Sequence, residues 1–99
     1  MGMDGQKSLS LQDFTDLVDD TFTVSFGETT LEARLVEAKA MGTGLREGGA
    51  FSLLWQGPAE PALVQATYEV AHAATGPLDI FLVPVARNDD GYCYEAVFT

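Results

Sequence analysis

The chain has 99 residues, one cysteine, one histidine, and five basic against fifteen acidic side chains, for a formal charge of −10. That length can hold one hydrophobic core without disulfides or a structural metal, and a 46% hydrophobic fraction is that of a globular chain, not a disordered one. The negative field argues against nucleic acid and anionic lipid, which are bound through Lys and Arg, and no apolar run nears the ~20 residues of a spanning helix.

Residues 1–9 read as a disordered leader, with a single lysine and no apolar stretch of the secretory kind. One domain is expected over 10–99. Ser10 is placed as an N-cap, with Asp13 completing an approximate capping box. Leu11, Phe14, Leu17 and Val18 then fall at helical spacing, with Gln12, Asp13, Asp16 and Asp19 on the wet side. Asp19 and Asp20 meet the negative end of the helix dipole, so the helix stops there.

From Thr21 the period becomes two. Phe22, Val24 and Phe26 alternate with Thr21, Thr23 and Ser25, which predicts a half-buried strand. Gly27-Glu28-Thr29 is a turn, and Leu31, Ala33 and Leu35 mark a second strand to about Ala40, its alternation blurring after Val36 as at a bulge. Met41 to Gly49, with four glycines, is expected to be a flexible loop. Ala50 to Gln56 is a third strand, and Gly57 to Pro61, with two prolines, cannot be one.

Val64 to His72 reads as a fourth strand, although its alanines leave a helix as the competing reading. After a turn at Ala73 to Pro77, Ile80 to Val85 is apolar at nearly every position, so both faces of a fifth strand are expected to be covered. Pro84 should sit at an edge or bulge. Arg87 to Gly91 forms a hairpin loop, and Tyr92 to Phe98 a sixth strand with Tyr92, Tyr94, Ala96 and Phe98 on one face. The fold class is therefore mainly β: a six-stranded antiparallel meander forming a small barrel or strongly curved sheet, with one short N-terminal helix.

Catalytic signals are sparse. With Cys93 alone, no internal disulfide can form, and a reducing cytoplasm is the simplest home. Cys93 and His72 could form a thiolate–imidazole pair only if the fold joined them, and no orienting third group is recognisable. One His and one Cys do not make a zinc site; Asn88-Asp89-Asp90-Gly91 lacks the spacing of a calcium loop and suits a hairpin turn. The acidic helix face is most simply a solvated one. Glu69 and Glu95 alternate with apolar neighbours and should point to water, and no glycine pattern matches a phosphate loop. No cofactor or metal is expected.

The aromatic residues carry more. Trp55, Tyr68, Tyr92 and Tyr94 lie on strands, with His72 at a strand end, and form the candidate binding set. Each could instead be a core residue whose polar tip reaches a hydrogen bond.

Between Phe51 and Phe98 the chain resembles a family of small, uncharacterised bacterial proteins. The resemblance runs through Phe51-Ser52-Leu53-Leu54-Trp55-Gln56-Gly57-Pro58, Leu63 to Tyr68, His72, Phe81 to Val85 and Tyr94 to Phe98, with Phe14, Leu17, Val18 and Phe22 also fitting. Ala66 departs from it, standing where glycine is expected. The family has no assigned activity, so no catalytic residue carries over. Members are often encoded beside proteins with phage-tail-collar-like domains, which implies an accessory of a tail-like or surface assembly. The expected function is a non-enzymatic domain with a protein partner; a barrel binding a small molecule among Trp55, Tyr68 and Tyr94 is the alternative, and a Cys93/His72 hydrolase the third reading.

Overall fold

A computed structural model describes residues 9–42 and 49–98. The leader expected over 1–9, Leu9 apart, and most of the glycine loop expected at Met41 to Gly49 lie outside these. The elements are α1 (Gln12–Thr15), β1 (Thr21–Phe26), β2 (Thr29–Ala40), β3 (Phe51–Gln56), β4 (Ala66–His72), β5 (Gly76–Asn88) and β6 (Gly91–Phe98).

The helix is a single turn. Half of the expected capping box is present: the Asp13 carboxylate accepts the Ser10 backbone N–H at 2.9 Å, while the helix N-cap is Leu11 and no side chain caps the first turn. Phe14 and Leu17 are buried, and Leu9, Leu11 and Val18 pack partly against the same core. The chain leaves the turn through Asp19, whose positive φ of 81° is one that Asp tolerates better than most residues. Asp19 and Asp20 then bond on either side of Leu35, seating the helix against β2.

Every strand pairing is antiparallel and the sheet closes on itself, in the order β1-β2-β3-β6-β5-β4. Two three-stranded meanders, β1-β2-β3 and β4-β5-β6, meet along two seams, β3 with β6 and β1 with β4. The halves repeat one design. In each, a long middle strand pairs through its first part with the strand before it and through its second part with the strand after it. A register shift falls early in each second part, between Leu35 and Glu37 in β2 and between Pro84 and Ala86 in β5. Such bulges bend a strand and strengthen its twist, as closure of so small a barrel demands. The bulge after Val36 and the placing of Pro84 match the sequence reading, and Val64 to Ala74 is not a helix.

Two expectations are corrected. The last hairpin has a turn of only Asp89-Asp90, because Asn88 stays in β5 and its Oδ1 accepts the backbone N–H groups of Asp90 and Gly91 at 3.0 and 3.1 Å. Residues Ile80 to Val85 are covered on one face only: Ile80 and Leu82 are buried, whereas Phe81 and Val85 are half exposed. A continuous apolar run suits a parallel strand between two helical layers. Here the barrel covers the inner face alone, and α1 is too short to cover the outer one.

The interior is filled and both ends are stopped. Trp55, Tyr94, Phe14, Phe22, Phe51, Leu35, Leu53, Ile80 and Leu82 are essentially solvent-free. At one end Phe14 of α1 lies 6.0 Å from Phe51 and 6.2 Å from Phe98, which stack on each other at 4.6 Å. At the other end the link between β3 and β4 lays Leu63 over the core.

Candidate functional site

The five residues expected to bind all project from the inner face or its rim. Trp55 is fully buried, edge-on to Phe22 at 5.5 Å, and its indole N–H has no acceptor among the described residues. Tyr94 is 1% exposed, and its hydroxyl oxygen accepts the Leu63 backbone N–H at 2.9 Å. Burial pushes the Tyr94 phenol above its ordinary pKa, against the Leu63 hydrogen bond, which lowers it; the nearby Tyr68 and Tyr92 add smaller upward contributions. Tyr68, half-buried, donates to the Val64 carbonyl at 2.6 Å. These two tyrosines hold the β3–β4 link down as a lid over the barrel end. Tyr92 is half-buried beneath the Arg87 guanidinium, 5.5 Å from its ring centroid. The set is thus not one exposed aromatic floor; Trp55 and Tyr94 are core.

His72 stands at the opposite end. Its Nδ1 accepts the Ala74 backbone N–H at 2.9 Å, so Nε2 carries the proton and donates to Asp20 at 3.0 Å. With its ring 4.8 Å from Phe22, it ties the end of β4 to the start of β1 across a seam of three residue pairs. Cys93 is buried, and its thiol donates to the Gln56 side-chain oxygen at 3.2 Å, which also accepts from Asn88 at 2.8 Å. Along β5, His72 faces Gly76 and Cys93 faces Ala86. The thiol bonds Gln56 and Asn88 and the imidazole bonds Asp20 and Ala74, so each is engaged with other partners and no hydrogen bond among the described residues joins the two.

What the inner face lacks in access, the outer face supplies in apolar surface. On β5, Phe81 and Val85 are 50% and 48% exposed, with Val83 between them half-buried; on β6, Val97 is 49% exposed. The β5–β6 ladder begins at Val83 and Glu95, and Phe81 and Val97 lie two residues beyond it on either side of the seam. Thr67 faces Phe81 across β4. These side chains form one stripe on an otherwise polar wall. Contiguous exposed apolar surface of this kind marks interaction sites in soluble domains. The sequence alone predicts that Phe81, Val83 and Val85 are covered, and it leaves Val97 on the face of β6 opposite Tyr94 and Ala96. The available signal was that an antiparallel barrel strand should alternate, so an apolar residue at every position of Ile80 to Val85 leaves half of them outside.

A cleft of about 100 Å³ lies between α1 and the β4–β5 turn, lined by Leu9, Asp13, Ala74 and Thr75. No group of three or more His, Cys, Asp or Glu among the described residues is placed to hold a metal ion.

The model of a family described as a domain of unknown function, DUF6916, matches residues 9–98, and the chain belongs to that family. No curated protein and no solved structure matches it.

Proposed function

We propose that this chain is a non-enzymatic protein-interaction domain that docks through the outer face of β5 and β6. One observation carries the reading: the apolar residues in excess of the core, Phe81, Val83, Val85 and Val97, are gathered on one outer stripe. Core packing does not explain them, because the barrel is filled by other side chains. The same filling weighs against a small-molecule carrier, since Trp55 and Tyr94 are spent on the core and the lid. The wider setting, an accessory of a bacterial phage-tail-like or surface assembly, rests on the family resemblance carried by Phe51 to Pro58 and Tyr94 to Phe98, and a cytoplasmic home on the lone Cys93.

Site-specific photo-crosslinking tests the docking face. A benzophenone amino acid at position 81 is expected to trap a protein partner in native lysate. The same group at Glu32, an exposed position on β2 in the other meander, is expected to trap none. Equal adducts from both positions, or none from position 81, would contradict the assignment.

A further inference from the structure

Carboxylates flank the apolar stripe on both sides. Glu69 on β4 stands directly opposite Asp79 on β5, and both are exposed. On its other side Glu69 faces Ser25 of β1, so no base interrupts the row. Across the stripe Glu95 faces Val83. None of the three carboxylates has an ion-pair partner among the described residues. The described cations are placed elsewhere: Arg34 is bonded to Asp19, Arg87 lies over Tyr92, and Lys39 on β2 is separated from Val97 by Ser52. Like charges directly opposite each other weaken a sheet, and within the described residues nothing offsets this pair. A cation arriving from outside would, and it would arrive beside Phe81, which follows Asp79 by two residues on the same face.

We infer that the occupant of this face is a basic segment of another protein, its apolar side chains on Phe81, Val83 and Val97 and its Lys or Arg residues over Glu69, Asp79 and Glu95. The inference rests on the docking reading above and names the chemistry of the partner. A second copy of the chain fits the face poorly, because two copies docked face to face would set these carboxylates against one another at a charge of −10 each.

Short synthetic peptides with the same alternating Val and Phe residues, and with Lys, Ser or Glu between them, provide the test. Each is titrated into the isotope-labelled full chain and followed by amide chemical shifts. The Lys peptide should shift the amides of Phe81 to Val83 and Glu95 to Val97 and bind about tenfold tighter than the Ser peptide, with the Glu peptide weakest. Its affinity should fall several-fold between about 50 and about 300 mM salt. Glu69→Gln with Asp79→Asn should remove most of the preference for Lys and leave Ser-peptide binding unchanged. Equal binding of Lys and Ser peptides at this face would overturn the basic partner and leave the docking reading standing. Shifts confined to other surfaces, or none with any peptide, would contradict the docking reading itself. Concentration-dependent self-association lost on Phe81→Ser would make a second copy the occupant and overturn the inference.

Discussion

Replacing Tyr94 by Phe removes one oxygen from a place where the structure states its use. That oxygen accepts the Leu63 N–H at 2.9 Å, and Leu63 is 6% exposed in the lid over one barrel end. The ring of Phe fills the same space, so the variant isolates the hydrogen bond from packing. Leaving a buried N–H unsatisfied costs roughly 1–3 kcal/mol. For a domain of this size that corresponds to a fall in Tm of roughly 5–20 °C. Urea denaturation followed by circular dichroism measures the change directly, with the slope m expected to stay constant because the exposed surface is unaltered. The high-pH limb supplies a second check. Burial favours the neutral phenol, so the folded pKa lies above the unfolded value near ~10. The contribution of that shift is whole below the unfolded value and is lost as pH rises through the folded one. Wild type should therefore lose stability above about pH 10 more steeply than Tyr94→Phe. A loss below about 0.5 kcal/mol with identical alkaline limbs would refute the reasoning and mean that water serves Leu63 equally well.

Other substitutions probe separate parts of the account. Trp55→Ala should cost about 3–5 kcal/mol, a large share of the total stability of a small domain, so equilibrium unfolding should show it near the edge of folding. Gly91→Ala should destabilise by roughly 1–3 kcal/mol, because φ is 134° and an added Cβ would overlap the Gly57 carbonyl and the Pro58 backbone; thermal melts check this. Glu69→Gln or Asp79→Asn should each stabilise the fold by roughly 0.2–1 kcal/mol at low salt, with the gain shrinking as salt screens the exposed pair. Denaturant midpoints at two ionic strengths would show it.

Much of the fold is legible along the chain because its signals are local. Alternation in Phe22, Val24 and Phe26 requires only that one face be wet, Gly27 is a turn residue with a positive φ of 60°, and Asn88 to Gly91 encode their turn through Asn88 itself. The strand order is not local. Nothing near Gln56 says that β3 will pair with β6 and leave β4 to close against β1, since that choice is made by contacts far apart in the chain, such as Trp55 with Tyr94. The site was legible in part. Trp and Tyr are equally suited to a wet floor and to a core with one satisfied polar tip, and only the filled interior decides for Trp55 and Tyr94. Phe81 and Val97 were hidden for the opposite reason: an apolar residue gives no sign, on its own, that the face it occupies has no neighbour.

Affinity capture with the full chain, comparing wild type with Phe81→Asp and Val97→Asp, tests the docking claim most directly. Both positions are half exposed, so the variants should fold, with unfolding free energies within about 1 kcal/mol of wild type. The account predicts that a reproducible protein partner, identified by mass spectrometry, is retained by wild type and lost from both variants. A partner retained undiminished by both folded variants would contradict it.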